Sequence, residues 1–333
     1  MELLDAHDLL SLTVEPNWAD LDPHRHRMLA LSEGAGRGLP GDQLARVSDW
    51  IGRQPLPVVG VCEDPSWPLA DRVDLVVENE QELDLVARSI DKYPNASAVL
   101  VQVLRSVGSL ATHQALALES LAYATLQGGS EFAAWLAGYR SANPDKASRA
   151  ETTAPVLRER VGARLQVTLN SPADRNALSV PMRDALTETF KLVAMDSTIS
   201  EVTVSGNGPC FSAGGDLSEF GSTSDLAQGH NVRMLRMPAA YLAPHAQRYR
   251  FRLHGACIGA GIELPAFAGH IAAAPDTQFR LPEVAMGLIP GAGGCVSIAR
   301  RIGRQRTARM ALLGDAIPAH VALEWGLIDS IVD

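Results

Sequence analysis

Two glutamates stand in apolar stretches of the sequence, where a charged carboxylate is costly to bury. Glu263 lies between Ile262 and Leu264, and Glu283 precedes Val284. Apolar surroundings disfavour the ionised form of a carboxyl group and raise its pKa. A raised pKa suits such a group to general acid or base catalysis near neutral pH. The two glutamates are therefore the first candidates for proton transfer.

Both glutamates also have structural interpretations that need no chemistry. Glu263 is expected in the first turn of a helix, where a carboxylate interacts favourably with the helix dipole. Glu283 follows Arg280 closely in the sequence, and the two would form an ion pair at the edge of a sheet. The contacts that each carboxylate makes in the folded protein decide between these interpretations.

Glycine-rich turns accompany the glutamates in three segments. Residues 206–217 read GNGPCFSAGGDL, residues 254–264 read HGACIGAGIEL, and residues 279–294 end in the turn IPGAGG. In the first two segments a strand runs through small residues into a helix, which leaves backbone amides without helical partners. Two such amides, one from Ala213 and one from Ala260, would form an oxyanion hole for a carbonyl oxygen. Glycine-rich turns of this kind also occur for tight packing alone.

The spacing of apolar residues predicts strands and helices in both halves of the chain. In the front half it predicts two short helices, strands at 57–62 and 73–77, and helices at 80–90, 96–104, 113–126 and 131–136. In the back half it predicts strands at 164–169, 202–204 and 249–253 and a helix at 176–194. This order is typical of a layered α/β fold. The polar stretch 140–155, with two prolines, divides the chain into an N-terminal region at 1–145 and a core at 156–333.

Composition and charge exclude several classes of function. The net charge of −9 and the lack of a Lys/Arg run speak against a nucleic-acid partner. The acidic start and the lack of an apolar run of membrane-spanning length predict a cytoplasmic protein without a membrane partner. The four cysteines lie far apart in the sequence, so neither a metal site nor a disulfide framework is expected.

Taken together, the motifs resemble those of the crotonase (enoyl-CoA hydratase/isomerase) superfamily. The matching segments are 169–178 (LNSPADRNAL), 211–217 (FSAGGDL), 259–263 (GAGIE), 281–283 (LPE), 289–294 (IPGAGG), 314–319 (GDAIPA) and 325–329 (WGLID). The resemblance covers residues 160–333 without a large gap. With the helical patterns of the front half, it implies an α/β protein in which a crotonase-like ββα spiral core follows a helical N-terminal region.

The resemblance implies the chemistry of acyl-coenzyme-A thioesters. The amides of Ala213 and Ala260 would polarise the thioester oxygen. Glu263 and Glu283 match the two hydratase glutamates of the family, with Glu283 transferring the proton and Glu263 positioning water. The residues expected to bind the substrate are Arg175, which would meet a phosphate of coenzyme A, and Ala177, Ser212, Gly214, Gly215 and Asp216.

The resemblance also implies the partners of the protein. No metal and no cofactor is required, because the coenzyme A thioester is itself the substrate. The family assembles as homo-oligomers, so a trimer or a dimer of trimers is expected. A role in fatty-acid metabolism follows from the same resemblance.

The front half carries a second, partial resemblance to the same family. Family members continue with several helices past the motif at 325–329, whereas this sequence stops at Asp333. The segments 71–77 and 80–136 follow the order of that C-terminal part. We therefore interpret the front half as a permuted or degenerate crotonase half that supplies in front what is absent behind. The alternative is an unrelated helical cap, and packing of 80–136 away from the core would exclude the permuted interpretation.

Three functions are consistent with these residues. The retention of both glutamates favours an enoyl-CoA hydratase, which is a lyase. An isomerase, hydrolase, decarboxylase or cofactor-free oxygenase of the same fold is the second alternative, and for an isomerase Glu283 alone would suffice. The third is a non-catalytic crotonase-like subunit that serves assembly. Buried carboxylates speak against the third alternative, since a scaffold has no need of them.

Overall fold

The structure is a computed structural model that describes residues 3–14, 27–64, 66–144 and 154–332. Residues 145–153 of the polar stretch lie outside these ranges, as does the predicted end of the N-terminal region at residue 145. Within the described ranges, no helix has the length and apolar character needed to cross a membrane.

The described residues form thirteen α-helices and twelve strands. The helices are α1 (Ala6–Val14), α2 (Gly41–Arg53), α3 (Glu80–Lys92), α4 (Pro94–Val107), α5 (Thr112–Gln127), α6 (Ser130–Ala142), α7 (Val180–Met195), α8 (Leu226–Leu235), α9 (Pro238–Leu242), α10 (Ala260–Glu263), α11 (Gly294–Ile302), α12 (Arg304–Leu313) and α13 (Ala319–Trp325). The strands are β1 (Leu29–Leu31), β2 (Val58–Val61), β3 (Leu75–Val77), β4 (Val156–Val161), β5 (Arg164–Leu169), β6 (Glu201–Gly206), β7 (Tyr249–Leu253), β8 (Ala256–Ile258), β9 (His270–Ala273), β10 (Gln278–Arg280), β11 (Ile317–Pro318) and β12 (Ser330–Ile331).

A six-stranded sheet forms the base of the back half. Its spatial order is β12-β9-β7-β6-β5-β4, and its strands are parallel except for β4, which pairs antiparallel with β5. Along β7 the side chains of Tyr249, Phe251 and Leu253 are buried, while the two arginines between them are exposed. This alternation is the period of two that the sequence predicts for a sheet with one covered face.

A second, three-stranded sheet positions the turns that carry the candidate residues. Its order is β11-β10-β8, with β8 and β10 parallel and β11 antiparallel to β10. Strand β8 leads directly into the short helix α10, and β10 leads into a 3₁₀ turn at Glu283–Met286. A single β-bridge between Ser212 and Cys257 joins the first glycine-rich turn to β8. The three motifs of the sequence therefore converge at one edge of this sheet.

Helix α7 begins four residues later than the sequence predicts. The predicted start at residue 176 was wrong because Arg175 and Asn176 adopt positive φ angles of 54° and 52°, outside the helical region. The first helical residue is Val180, and the side chain of Ser179 caps the helix by accepting the amide of Met182. The loop before α7 thus belongs to the neighbourhood of the first turn.

The N-terminal region contains a small parallel sheet as well as helices. Strands β1, β2 and β3 pair in that order, and β1 was not predicted from the sequence. The sheet has a small core of its own, formed with helices α1 and α2 by residues such as Leu31, Ile51 and Trp67. Helices α3, α4 and α5 appear where the apolar spacing predicts them.

Helices α3 to α6 pack directly on the back half. Leu100 of α4, Leu116 of α5 and Phe132 of α6 belong to one continuous apolar core together with Val296 and Ile298 of α11. Helix α3 packs on α12, and Ser89 of α3 donates a hydrogen bond to the carbonyl of Leu312. Residues 80–136 are therefore part of the core and not a detached cap. The permuted origin of this region stays a prediction.

Asp74 anchors the small sheet to helices of the main core, and its loss is expected to be costly. Its buried carboxylate accepts the amide of Val58 at 2.8 Å and forms ion pairs with Arg105 of α4 and Arg304 of α12. Removing one partner leaves two arginines without their shared counter-charge. We expect Asp74→Ala to lower the free energy of unfolding by about 3–5 kcal/mol, measured by urea denaturation.

An exposed ion pair of the same region provides the matched control. Asp49 pairs with Arg53 on the surface of α2, where both side chains are more than half exposed. Asp49→Ala is therefore expected to cost less than about 1 kcal/mol. Equal losses for the two variants would contradict an anchoring role for Asp74.

Candidate active site

The first glycine-rich turn leaves the amide of Gly215 free, not that of Ala213. The amide of Ala213 donates to the carbonyl of Arg175 at 2.9 Å, and the amide of Gly214 donates to Oγ of Ser212 at 3.1 Å. The amide of Leu178 donates to the carbonyl of Gly214, and the carbonyl of Leu178 accepts the amide of Asp216. The amide of Gly215, between them, has no hydrogen-bond acceptor among the described residues. The oxyanion role predicted for Ala213 is therefore corrected, because its single amide hydrogen is already engaged.

The second turn leaves the amide of Ala260 without a helical partner. Ala260 is the first residue of α10, and the first amides of a helix have no carbonyl one turn earlier to bond. Helix α10 has four residues, since Pro265 begins a separate 3₁₀ turn. Gly215 and Ala260 both line a single cavity of about 360 Å³. The cavity thus has one available amide from each turn.

Gly259 gives both glutamates access to the same point in the cavity. It has a φ of +50°, and a side-chain atom there would collide with Oε1 of Glu283 and lie 3.7 Å from Oε1 of Glu263. Only glycine leaves this space open. The two carboxylates therefore face one point in front of Gly259, beside the start of α10.

Glu263 is held by the N-terminus of another helix. Its Oε2 accepts the amides of Ala292 at 2.8 Å and Gly294 at 2.9 Å, at the start of α11. Burial raises the pKa of Glu263 to about 7, and the amides of this turn act in the opposite direction by stabilising the ionised form. The carboxylate of Glu263 therefore interacts with the dipole of α11. The sequence had suggested an interaction with the dipole of α10, the helix that contains Glu263.

Glu283 is buried with less stabilisation of its charge. Burial and the nearby Glu263 raise its pKa well above the usual range. Its Oε2 is buried and has no hydrogen-bond partner among the described residues. Arg280 donates to the carbonyl of Gly314, and the salt bridges of the described residues do not include an Arg280–Glu283 pair. The ion-pair interpretation of Glu283 is therefore wrong.

A third buried carboxylate, Glu119, comes from the N-terminal region. It is fully buried in α5 and accepts the amide of Gly293 at 2.7 Å and that of Cys295 at 2.9 Å. Glu119 and Glu263 thus alternate along the amides of residues 292 to 295. Burial and the neighbouring Glu263 raise the pKa of Glu119 well above its ordinary value.

Sequence reasoning missed Glu119, although a signal was present. Glu119 lies on the helical face of α5 that also carries the buried residues Ala115, Leu116 and Leu126. A glutamate at a position where the apolar spacing predicts burial is rarely left without partners. Its partners lie 174 and 176 positions away in the sequence, so only the folded chain identifies them.

Helices α5 and α8 both contribute side chains to the wall of the cavity. A side chain at Gly291 would overlap the ring of Tyr123, so this ring packs against the turn that holds Glu263. Arg233 of α8 lies over the same ring, with its guanidinium carbon 4.4 Å from the ring centroid. Tyr123 and Arg233 line the cavity, and neither was singled out from the sequence.

The structure brings together about half of the predicted site residues. Those that line the cavity are Glu263, Glu283, Ala260, Gly215 and Asp216. Those outside its lining are Arg175, Ala177, Ser212, Ala213 and Gly214. Arg175 is exposed and contributes its carbonyl to the turn, while the buried hydroxyl of Ser212 donates to the carbonyl of Asn176. Apart from Ala213, whose oxyanion role is corrected above, the predicted contact of the second group with substrate stays a prediction.

Similar sequences occur among known hydratases and isomerases. Residues 160–333 match the family model for enoyl-CoA hydratase/isomerase. The 2,3-dehydroadipyl-CoA hydratase of Escherichia coli K12 is 34% identical over 167 residues, which cover 50% of this chain and 65% of that protein. The 1,2-epoxyphenylacetyl-CoA isomerase of the same strain is 33% identical over 175 residues, covering 51% and 66%. The chain thus spans just under two thirds of the length of these relatives.

Solved structures agree with this relationship. The enoyl-CoA hydratase of Thermoplasma volcanium is 30% identical and superimposes with a TM-score of 0.50, covering 54% of this chain and 73% of that one. Its match confirms the crotonase-like α/β fold expected from the sequence. Since the family model covers more than half of the chain, the resemblance seen in the motifs is confirmed as well. The chain belongs to the enoyl-CoA hydratase/isomerase family, the crotonase superfamily.

Proposed function

We propose that the protein is an enoyl-CoA hydratase that adds water across the double bond of a 2-enoyl-CoA. The observation that carries this proposal is the convergence of two buried carboxylates, Glu263 and Glu283, on one point in the cavity. Addition of water needs one group to take a proton and another to give one. The names of relatives, such as 2,3-dehydroadipyl-CoA hydratase, support the same reaction.

The amides of Gly215 and Ala260 stabilise the thioester oxygen in this proposal. When water attacks the β-carbon, the electrons of the double bond move to the carbonyl oxygen and form an enolate. Two fixed amide donors at that oxygen stabilise the charge that develops in the transition state. Gly215 takes the role that the sequence had assigned to Ala213, because its amide is unengaged and borders the cavity.

The two glutamates divide the proton transfers according to their surroundings. Glu263, with two amides on its Oε2, is the more easily ionised and accepts a proton from the attacking water. Glu283, buried without such donors, keeps its proton and delivers it to the α-carbon of the enolate. Pairs of carboxylates whose environments separate their pKa values in this way serve as base and acid at one pH.

The second candidate function is isomerisation of the double bond. A relative named 1,2-epoxyphenylacetyl-CoA isomerase supports chemistry of that class in this family. An isomerase needs one base that moves a proton between two carbons, for which Glu283 alone suffices. The amides that fix Glu263 at the cavity favour hydration, since they hold a second carboxylate where water would be bound.

The proposal extends to the assembly and location of the protein. We expect a homo-oligomer, a trimer or a dimer of trimers, in the cytoplasm, with fatty-acid metabolism as the context. Arg175, exposed at the edge of the first turn, remains our candidate for a phosphate of coenzyme A. No resident cofactor enters the reaction as proposed. A role limited to assembly would leave the buried carboxylates unexplained.

The reaction is tested by following the ultraviolet absorbance of the conjugated thioester. Crotonyl-CoA and 2-hexenoyl-CoA are mixed with the protein, and loss of absorbance with formation of the 3-hydroxyacyl-CoA is expected. A 3-enoyl-CoA substrate is assayed in parallel for a gain of the same absorbance, which reports isomerisation. Turnover of the 3-enoyl substrate alone would replace the hydratase proposal with the isomerase. Absence of both reactions at every chain length would reject both.

The pH dependence of the reaction follows from the two carboxylates. Glu263 must be ionised to accept a proton, and its pKa is about 7. We therefore expect kcat/KM to rise with pH through about 7 and to fall at higher pH, where Glu283 loses its proton. Because the two carboxyl groups interact, the apparent pKa values that limit kcat/KM at low and at high pH belong to the pair and not to either glutamate alone. A profile that falls as the pH rises through this range would contradict the assignment of Glu263 as the base.

A further inference from the structure

Arg233 is the charged group of the cavity wall whose role the reaction does not explain. Its Nη1 donates to the carbonyl and Oγ of Ser120 at 3.2 and 3.1 Å, and its Nη2 donates to Oε1 of Gln127 at 3.1 Å. All three acceptors are uncharged and belong to α5. The guanidinium also lies over the ring of Tyr123, which restricts its movement further. The group is thus held in one orientation at the cavity surface before any ligand binds.

The other two arginines that line the cavity have carboxylate partners within the protein. Arg183 pairs with Asp184 at 2.8 Å, and Arg236 pairs with Glu188 at 3.0 Å. Arg233 has no carboxylate within ion-pair distance among the described residues. The guanidinium bonds only to neutral acceptors, and the buried carboxyl group of Glu119 acts on it electrostatically without forming an ion pair with it.

Two acidic residues of the cavity, Asp216 and Glu219, accept hydrogen bonds from groups other than Arg233. Asp216 accepts the amide and hydroxyl of Ser218. Glu219 accepts the amide of Val180 at the start of α7. Both carboxylates thus cap local structure. An anionic group in the cavity would therefore meet Arg233 as a cation without a salt bridge to any carboxylate of the described residues.

The position of Arg233 relates it to the reacting end of the substrate. The amide of Ala292 donates to Glu263, and the preceding residue, Gly291, packs against the ring of Tyr123. Arg233 lies over that same ring. Gly215, Ala260, both glutamates and Arg233 line the same cavity. An acyl chain that runs from the two amides past the glutamates would bring its far end to Arg233.

We propose that Arg233 binds an anionic end group of the acyl chain, so that the preferred substrates are CoA thioesters of acids that carry a second carboxylate. This inference rests on the proposed function for the direction in which the substrate lies. Three of the five guanidinium N–H groups are used by Ser120 and Gln127. The remaining two are available to a carboxylate, which arginine recognises well because of its planar fork.

Binding of unreactive substrates tests the inference separately from catalysis. The probes are hexanedioyl-CoA and hexanoyl-CoA, which differ only in the end group and have no double bond to hydrate. Isothermal titration calorimetry on the full chain is expected to show tighter binding of hexanedioyl-CoA by about 10- to 100-fold. Arg233→Met is expected to remove this preference, and Arg233→Lys, which keeps the charge but loses the fork, to reduce it.

Arg236→Met is the matched control. It lies at the end of the same helix and also borders the cavity, but its charge is already satisfied by Glu188. The preference for hexanedioyl-CoA is expected to persist in this variant. Ser120→Ala provides a second check, since it keeps Arg233 but removes one of its acceptors, and an intermediate preference is expected. Circular dichroism establishes that each variant is folded.

The outcomes separate this inference from the proposed function. A preference for hexanedioyl-CoA that depends on Arg233 supports the inference even if no hydration is observed. Equal affinity of the wild-type protein for both thioesters overturns it, even if hydration is fast. An Arg233→Met variant that weakens binding of both thioesters by the same factor also overturns it, because Arg233 would then serve only the charge balance of the buried glutamates.

Discussion

Replacing Glu283 by glutamine is expected to lower kcat/KM for hydration of a 2-enoyl-CoA by about 10²–10⁴. Glutamine has nearly the same shape but cannot give a proton to the α-carbon. The position is buried, and Oε2 of Glu283 makes no hydrogen bond within the described residues, so little structure depends on its charge. The loss is therefore expected in kcat more than in KM, measured from the ultraviolet assay at saturating and limiting substrate.

The control for this variant is an exposed glutamate. Glu324→Gln on α13 changes the same functional group at the surface of the protein, and its kinetics should match the wild type. The melting temperature of Glu283→Gln is expected to be equal to or above that of the wild type, because a neutral amide is cheaper to bury than a carboxylate. Activity of Glu283→Gln within about tenfold of the wild type would contradict its role as the acid.

The second large effect is expected for Glu119→Gln. The two carboxylate oxygens of Glu119 accept the amides of Gly293 and Cys295, whereas glutamine offers one oxygen and one NH₂ group. One of these two buried amides would then face the NH₂ group of glutamine, which is also a donor, and would lose its acceptor. We expect this loss to lower the free energy of unfolding by about 1–3 kcal/mol. Because the same turn holds Glu263, we also expect kcat/KM to fall by about 10- to 100-fold.

A change in pH profile distinguishes a positioning role of Glu119 from a loss of stability alone. If the amides of Ala292 and Gly294 shift, Glu263 loses donors that stabilise its ionised form, and its pKa rises further. The rising limb of kcat/KM should then move to higher pH. A variant with reduced melting temperature but an unchanged profile would limit Glu119 to a structural role.

Glu131→Gln is a matched control for Glu119→Gln. Glu131 also accepts two backbone amides, those of Asn95 and Ala96, where it caps helix α4. It lies nearer to solvent than Glu119, so water can satisfy the amide that glutamine cannot. We expect a smaller loss of stability and an unchanged pH profile for this variant.

The sequence predicted the parts of the protein that local rules determine. Strands such as β7 and helices such as α3 and α5 follow from apolar spacing alone. The start of α7 did not, because the positive φ angles of Arg175 and Asn176 depend on the turn that packs beside them. Helix boundaries are set by such contacts as much as by propensity.

The sequence predicted the two glutamates of the candidate site but not which backbone amides are free to bind the substrate. Glu263 and Glu283 were found because a charged residue in an apolar stretch is conspicuous in any sequence. The choice between Ala213 and Gly215 depends on which amide already has an acceptor, and the Arg175 carbonyl decides this only in the folded turn. Tyr123 and Arg233 come from segments that no short motif connects.

The alternation of Glu119 and Glu263 along one turn has a consequence for how the protein matures. Glu119 and Gly293 are 174 positions apart in the sequence, so α5 is synthesised long before the turn at the start of α11. Contacts of such long range form late in folding, since most of the chain must be ordered first. The proposed hydratase activity should consequently appear in the last kinetic phase of refolding, after the helical signal has recovered. Enzyme turnover would then serve as the readout for completed docking of the N-terminal helices.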